Sequence, residues 1–385
     1  MKRRTFLGAS ATLSLAGAQS VLGATPHPHR RLLVILLRGG MDGLSAIPPI
    51  GEAGLAQIRP GLVPKTLLPG TDFFAVHPAL PTFAGLLAKG EAVAVHATGF
   101  DYKGRSHFEG QDIMQSGLSK PFTSTSGWVG RAMQKARVGS GVAISIPMPL
   151  ILRGDPTVDT EFPTWLTAPP RKTYDLVTAM WARYPQLAGL GVGNDAGKME
   201  MAANLEPTKT NIDNLSSPTR LAQLAGKRMA PDSGPIVGLI DLVGFDTHAA
   251  QGADQGQSAD KLKMIDDIIL TYKDAVGDGW KDSLVITVTE FGRTVSQNGT
   301  GGSDHGWGGC ILAAGGLVQT AGVIADWPGI DSAKLFEGRD LAVTVDARAV
   351  YAEVLRSVFG LSAAHVQDGV LQHTPHPLTQ KLFKS

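Results

Sequence analysis

Residues 31–40, RLLVILLRGG, decide the fold class, because six consecutive apolar residues are followed by a single arginine and a pair of glycines. Four similar runs occur later in the chain. They are EAVAVHATG (91–99), GPIVGLIDL (234–242), DSLVITVTEFG (282–292) and LAVTVD (341–346). Short, continuous runs of Val, Ile and Leu are typical of strands that are buried on both faces. The sequence therefore predicts a mostly parallel sheet.

Helical patterns lie between these runs. Apolar residues fall near one face of 259–276, and 346–360 repeats the pattern between an Asp346 N-cap and a Gly360 C-cap. Alternating strands and helices predict an α/β fold, a doubly wound sheet with helices on both faces. The Pro-rich and Met-rich stretch 119–230 fits this alternation poorly. We expect it to form an insertion or cap within a single domain spanning 25–385.

The N-terminus, MKRRTFLGASATLSLAGAQS, has the pattern of an export signal: charges, a short apolar run, then small residues. We assign residues 1–24 to a signal peptide that is cleaved after Ala18 or Ala24. Arg3 and Arg4 resemble the twin-arginine signal, which predicts passage through the twin-arginine export machinery to the periplasm or the medium. No later stretch approaches the roughly 20 apolar residues of a membrane helix, so no membrane span is expected.

Charge and cysteine content exclude two further classes. The 35 Lys and Arg residues nearly balance 34 Asp and Glu, and the net charge of +1 argues against a nucleic-acid partner. Cys310 is the single cysteine, so an exported chain of this sequence has no internal disulfide.

Acids and imidazoles follow the predicted strands. In a parallel sheet the strand ends share one edge, where ligands bind. The candidate metal ligands there are Asp42, Asp246, His248, Glu290, Asp304 and His305. Two carboxylates about 4 Å apart repel by roughly 4 kcal/mol at an effective dielectric near 20, so a shared site needs cations. Mixed Asp, Glu and His ligands favour one or two divalent ions, Zn or Mn rather than Ca or Mg. The alternative is that a single such acid, Asp42 above all, caps a helix.

A nucleophile is predicted in GRSHFEGQD, residues 104–112, where a helix begins near Ser106. A serine hydroxyl beside a metal and a helix N-terminus can attack phosphorus or sulfur. Alternatively, Ser106 caps the helix and Glu109 completes a capping box. His107 is open to three roles: ligand, general acid or core histidine. Arg105 or Arg293 would clamp phosphate or sulfate oxygens.

The loop GTGGSDHGWGGC, residues 299–310, contains six glycines around Asp304 and His305. Glycine allows sharp turns and close approach of the backbone. We interpret the loop as an arm that returns Asp304 and His305 to the sheet edge, with Trp307 as a wall of the crevice.

Five motifs in order carry a family resemblance: RLLVILLRGGMDGL, GRSHFEGQD, VGFDTHAAQG, VTEFGRT and GGSDHGWGG. Together with the leader they resemble the exported proteins of the domain of unknown function 1501 family. That family is similar to the alkaline phosphatase, sulfatase and phosphomutase superfamily, which implies a doubly wound α/β fold and usually two divalent metals.

The resemblance also implies a division of the ligands. Asp246, His248 and His305 would hold one metal. The other would be addressed by Asp42, Ser106, Glu290 and Asp304. Two departures concern that second metal: Asp246 and His248 are two residues apart rather than four, and Glu290 is followed by Phe-Gly-Arg. Arg293 then takes the place of a second cation as a fixed positive charge.

The function expected from these features is an exported metal-dependent hydrolase of phosphate or sulfate esters, small or envelope-derived, with Ser106 as the nucleophile. A non-catalytic periplasmic metal- or ligand-binding protein of the same fold is the alternative. Phosphomutase or transferase activity is a third, for which residues 119–230 would supply a closing cap.

Overall fold

The computed structural model of the protein describes residues 27, 29–145, 147–161, 179, 217–372 and 375–385. The predicted signal peptide, residues 1–24, lies outside the described residues. So do 162–178 and 180–216, the middle of the predicted cap. Among the described helices, none combines the length and the apolar character needed to cross a membrane.

The described strands form one nine-stranded sheet. They are β1 (Arg31–Leu37), β2 (Ala92–Gly99), β3 (Gly141–Ile144), β4 (Val158–Thr160), β5 (Val237–Leu242), β6 (Ser283–Thr289), β7 (Gly309–Ala314), β8 (Gly322–Ile324) and β9 (Val345–Asp346). Their order is β4-β3-β5-β1-β6-β7-β2-β8, with β9 beside β2. Among them, β7 alone runs against its neighbours β6 and β2. The predicted mostly parallel sheet is confirmed.

Helices cover both faces of this sheet. Their bounds are α1 (Gly43–Ala46), α2 (Leu55–Ile58), α3 (Pro81–Ala88), α4 (His107–Ser116), α5 (Trp128–Ala136), α6 (Pro218–Met229), α7 (Gln257–Val276), α8 (Ala347–Phe359) and α9 (Ala363–Gln367). Side chains of β1 alternate between two cores. Leu32, Val34 and Leu36 pack in the core of α4, α5 and α8, and the intervening residues pack in the core of α3, α6 and α7. The predicted doubly wound α/β architecture is confirmed.

Two predicted boundaries hold in detail. The side chain of Asp346 caps α8 by accepting from the Arg348 amide, and Gly360 ends that helix in the left-handed region at φ +64°. The predicted strand over 341–346 is shorter, since only Val345 and Asp346 pair with β2.

The stretch 119–230 contributes more to the sheet than an insertion or cap would. Its described parts include β3 and β4, which extend the sheet beyond β5, and α6, which packs along α7. The strands are three and four residues long, and β4 is half-exposed at the edge of the sheet. Such short strands lack the long apolar run that predicted β1, β2, β5 and β6.

The reversed direction of β7 positions the glycine-rich loop. All strands but β7 end at one edge, and β7 begins there. The loop from the end of β6 to the start of β7 therefore stays at the edge where β1, β2, β5 and β6 finish.

Candidate metal centre

Three histidines converge on Asp246 at this edge. His107 is the first residue of α4, which follows β2. Asp246 and His248 follow β5, and His305 lies on the loop before β7. Asp246 Oδ1 lies 2.9 Å from His248 Nε2 and 3.0 Å from His305 Nε2, and Oδ2 lies 3.3 Å from His107 Nε2. The Nε2 atoms of His248 and His305 are 3.0 Å apart.

The outer nitrogen of each imidazole has a separate partner. The Nδ1 atom of His107 lies 2.8 Å from Glu290 Oε1, and that of His248 lies 2.9 Å from Asp304 Oδ1. The Nδ1 atom of His305 lies 2.9 Å from the Arg105 carbonyl oxygen. Carboxylate and carbonyl oxygens only accept, so each Nδ1 carries a proton and donates it. In the neutral ring, each Nε2 is left with its lone pair turned toward Asp246.

This arrangement suits a cation. Three lone pairs and a carboxylate repel one another, and three adjacent imidazolium ions would repel as well. Donor atoms on a tetrahedral zinc ion lie about 3.3 Å apart, since each is about 2.0–2.1 Å from the metal. The distances of 2.9–3.3 Å around Asp246 are close to that spacing. His107 Nε2 is buried without a hydrogen-bond partner. The residues therefore fit a divalent ion. One donor atom each of His107, Asp246 and His305 lies within 4.8 Å of the others, a group that could hold a metal ion, and His248 adjoins this group through Asp246 and His305.

Arg293 lies beneath Asp246 and is fully buried. Its guanidinium donates to Asp246 Oδ1 at 2.6 Å. It also donates to the backbone carbonyls of Gly39, Gly40, Phe245 and Ser303. Burial would raise the pKa of Asp246, but the bond from Arg293 outweighs it and lowers that pKa to about 2. The expectation that Arg293 clamps substrate oxygens is corrected, because the guanidinium is enclosed by the ends of β1 and β5.

Glu290 follows β6 and supports His107 from behind. Its side chain is fully buried, and Oε1 accepts from His107, from Gln111 Nε2 at 3.1 Å and from the Gly39 amide at 2.8 Å. Burial alone would raise the pKa of Glu290, but these donors hold it below its usual value. The same bond to Glu290 raises the pKa of His107. The expectation that Glu290 binds metal directly is corrected, because its carboxylate accepts from His107 Nδ1 rather than facing Asp246.

Asp304 has the matching position behind His248. Oδ1 accepts from His248 and from Asn298 Nδ2 at 3.2 Å, and the bond to His248 lowers the pKa of Asp304. Glycine is required on both sides of the segment 303–305, at positions 302 and 306. A Cβ at Gly302 would lie 2.4 Å from the His248 carbonyl, and one at Gly306 would lie 2.4 Å from Arg293 backbone. The glycine-rich loop thus packs backbone against backbone to bring His305 inward.

Asp42 lies in a different cluster. It caps α1 through the amides of Leu44 and Ser45, and its carboxylate pairs with the buried Arg59. Oδ2 also accepts from Ser45 Oγ at 2.7 Å and Gln251 Nε2 at 2.6 Å. Despite complete burial, the pKa of Asp42 is lowered by Arg59. The expectation that Asp42 binds metal is corrected, since proton donors already occupy both oxygens.

Ser106 occupies the N-cap position of α4 without capping it. Its side chain makes no cap hydrogen bond. The expected capping box is absent, because Glu109 accepts from the Tyr102 hydroxyl at 2.6 Å and that hydroxyl accepts from the Ser106 amide. The hydroxyl of Ser106 is thus left beside His107 at a helix N-terminus whose first-turn amides have no side-chain acceptor.

Arg105, directly before Ser106, is tied to acids. Its guanidinium pairs with the buried Asp340 at 2.6 Å and with Glu337 at 2.5 Å. Arg105 also has φ +54°, a left-handed conformation that costs a non-glycine residue about 1 kcal/mol or more. The ion pairs hold this turn, and they correct the expectation that Arg105 is free to clamp substrate.

Sequence reasoning missed three supporting residues: Gln111, Asn298 and Phe291. The Phe291 ring packs against both His107 and His305, with its centroid 5.0 Å from the centroid of each imidazole. Gln111 had a usable signal, because it lies one helical turn after His107. No local sequence pattern marked Asn298, because its contact with Asp304 depends on how the loop between them folds.

Comparison with known proteins gives one family and several solved structures. The family model described as protein of unknown function DUF1501 matches residues 174–371. No curated protein matches the chain.

Among solved structures, a murine ectonucleotide pyrophosphatase/phosphodiesterase 5 is 10% identical, with 92% of this chain and 100% of that one covered and a TM-score of 0.45. A sulfatase from Pseudoalteromonas sp. is 13% identical, with coverages of 92% and 72% and a TM-score of 0.43. A phosphonate monoester hydrolase of Agrobacterium radiobacter is 10% identical, with coverages of 86% and 74% and a TM-score of 0.36.

Proposed function

The chain belongs to the DUF1501 family, and from its own side chains we propose that it is an exported, metal-dependent hydrolase of phosphate or sulfate esters. The observation that carries the proposal is the orientation of three imidazoles. His107, His248 and His305 each donate outward from Nδ1 and turn Nε2 toward Asp246. Outer hydrogen bonds of this kind fix the ring and the tautomer of metal-binding histidines.

The charges around the cluster favour one divalent ion. Asp246, Glu290 and Asp304 bring three negative charges, and Arg293 brings one positive charge. Two negative charges remain in excess with neutral imidazoles, which one divalent cation balances. Three nitrogen ligands and one carboxylate favour zinc or manganese over calcium or magnesium. Arg293 stands where a second cation would otherwise be needed.

Ser106 is the proposed nucleophile because its hydroxyl is free of capping and adjoins His107. A bound divalent cation would supply Lewis-acid stabilisation of negative charge on the ester oxygens and would lower the pKa of a nearby hydroxyl. Ser106 Oγ forms the bond to phosphorus or sulfur as the bond to the leaving oxygen breaks, while its proton passes to solvent water and a proton from water neutralises the leaving oxygen. The unoccupied amides of the first turn of α4 would donate to the non-bridging oxygens. Water then hydrolyses the bond between Ser106 Oγ and phosphorus or sulfur, which frees the phosphate or sulfate and restores the hydroxyl of Ser106.

The predicted leader indicates where the protein works and therefore which esters it would meet. A twin-arginine signal on residues 1–24 would send the chain to the periplasm or the medium. We therefore propose small or envelope-derived phosphate or sulfate esters as substrates.

Metal content is the first test. Protein expressed with its leader and recovered from the periplasm should contain one zinc or manganese ion per chain by elemental analysis. His305→Ala should lower that content, and Trp307→Phe should not, because Trp307 contributes no nitrogen to the cluster. Native protein without metal would overturn the proposal.

The role of Ser106 has a matched control. Ser217 caps α6 by accepting from the Arg220 amide. Ser106 stands at the same position of α4, but its side chain makes no capping hydrogen bond. Ser217→Ala should cost about 1 kcal/mol of stability and leave turnover unchanged. Ser106→Ala should keep metal and stability but lose at least about a hundredfold in turnover of 4-nitrophenyl phosphate or sulfate. Equal turnover by Ser106→Ala and wild type would refute the nucleophile. Metal binding without hydrolysis of any ester would favour the non-catalytic binding protein.

A further inference from the structure

The two arginines expected to recognise the ester are both engaged elsewhere. Arg105 is paired with Asp340 and Glu337, and Arg293 is buried beneath Asp246. Arg38, directly after β1, is also occupied, by a bidentate pair with Asp241. Beyond the bound metal ion, a positive charge that draws an anionic substrate to this edge must therefore come from a side chain other than these three.

Lys103 has the required properties. Its ammonium lies 5.1 Å from the centroid of the Trp307 ring and 5.4 Å from that of Phe336, within cation–π range of both. Its acidic partner among the described residues is Asp101, 3.8 Å away and mostly exposed, an ion pair of little strength. Half of the Lys103 side chain is exposed. The aromatic rings thus position a positive charge without neutralising it.

This cluster is built on the loops that carry the site. Lys103 precedes Ser106 by three residues, which sets their Cα atoms at most about 11 Å apart. Trp307 follows His305 by two residues, and its indole N–H donates to the Phe100 carbonyl at 2.8 Å, so the two loops are joined. The Arg105 guanidinium also lies over Phe336, 5.7 Å from the ring centroid. Lys103 therefore shares the loop of the proposed nucleophile, and its aromatic partner Trp307 shares the loop of His305.

We propose that Lys103, Trp307 and Phe336 form a subsite for the leaving group, and that it takes a ring bearing a second anionic group. The inference rests on the proposed function, since it assigns a partner position to the same site. The ammonium pairs with the second carboxylate, sulfate or phosphate of the substrate, and the edges of the two aromatic rings pack against its ring. The substrate class is thus a doubly anionic ring ester rather than a simple alkyl ester.

The test uses two inert phosphonates and calorimetry on the metal-loaded full chain. Benzylphosphonate presents a single anionic group, and 4-carboxybenzylphosphonate adds a carboxylate on the ring. Wild type should bind the carboxylated probe about tenfold more tightly, the contribution of one charge-assisted contact. Lys103→Met should abolish that preference, and Lys103→Arg should restore most of it. The preference should also shrink as salt rises from 0.05 to 0.5 M.

Lys263→Met is the matched control, because Lys263 is an exposed lysine paired with Asp267 on α7, which carries none of the site residues. It removes the same charge and should leave the preference intact. Equal affinity of wild type for the two probes, or a preference that survives Lys103→Met, would overturn the subsite and leave the proposed function standing. Failure of the metal-loaded protein to bind either phosphonate would overturn both.

Discussion

Two acids that follow strands at the same edge of the sheet, Asp246 after β5 and Asp42 after β1, have opposite surroundings. The side chain of Asp246 is 41% exposed and meets the Nε2 atoms of three histidines. The side chain of Asp42 is 3% exposed and meets a guanidinium, a hydroxyl and an amide. Proton donors occupy both oxygens of Asp42, whereas Asp246 accepts from one guanidinium, that of Arg293, and otherwise faces the lone pairs of the histidines. The partners of an acid, rather than its place after a strand, decide whether it suits a metal.

Gln251 connects the two clusters by hydrogen bonds on both sides of its amide. Its Nε2 donates to Asp42, and its Oε1 accepts from the hydroxyls of Thr247 and Ser303 at 3.0 and 2.6 Å. Thr247 lies between Asp246 and His248, and Ser303 directly precedes Asp304. The buried cluster therefore holds the two loops that present the histidines.

Asp246→Asn should have the largest effect on metal binding. Zinc held by four protein ligands is worth about 10–16 kcal/mol, so loss of one charged ligand removes about 4 kcal/mol, a thousandfold in affinity. Asparagine also leaves the buried Arg293 without its carboxylate partner. Titration with zinc in a competing chelator measures the affinity. One tightly bound ion per chain in Asp246→Asn would contradict our assignment of Asp246 as the centre of the site.

Asp42→Asn should instead reduce stability and leave the metal in place. Removing one partner of a buried ion pair costs about 3–5 kcal/mol, here because Arg59 would remain charged and buried. Urea unfolding of chelator-treated protein measures the loss without a contribution from metal binding. Asp267→Asn is the control, since the exposed pair of Asp267 with Lys263 is worth about 0.5 kcal/mol or less. Loss of metal from Asp42→Asn at unchanged stability would reverse the comparison.

The sequence predicted most of the strands that long apolar runs encode, although it missed β7, a fully buried strand that directly follows the glycine-rich loop. β1, β2, β5 and β6 were found because each is six to eight residues of nearly continuous burial. β3, β4 and β8 are three or four residues long, and their pairing depends on the strands beside them rather than on their own composition.

The site shows the same limit. The strand-end argument drew attention to Asp246, His248 and His305, which the structure places together. It gave Asp42 the same weight, because the sequence does not reveal that Arg59, 17 residues later, folds back onto it. Nor does it reveal that Arg293 donates to four carbonyls from separate segments. Such pairings depend on how distant segments pack, which no local pattern records.

His96 provides a pH test of the contrast between the two regions. It lies on β2 beside the Asp42 cluster, donates to the Gly43 carbonyl and packs against Phe74 and Trp327. Burial lowers its pKa from 6.5 to about 4. Because the unfolded state takes up the proton first, stability should fall as pH decreases from 6.5 to 4, by about 3 kcal/mol.

His96→Gln keeps side-chain hydrogen bonding but does not titrate there. Urea unfolding of chelator-treated protein at pH 7 and pH 4 should show the wild type losing about 3 kcal/mol more than this variant. Equal losses would mean that His96 is not held neutral in the folded protein.

The smallest effects should come from the acids behind the ligands, and they should differ. Removing an outer partner of a metal-binding histidine typically weakens the metal by about 10- to 100-fold. Glu290 is fully buried and also holds Gln111 and the Gly39 amide, whereas Asp304 is 47% exposed. Water can replace Asp304 behind His248 but cannot reach the position behind His107. Glu290→Gln should therefore approach the hundredfold end and Asp304→Asn the tenfold end in the same chelator titration. The reverse order would show that His248, rather than His107, depends more on its outer partner.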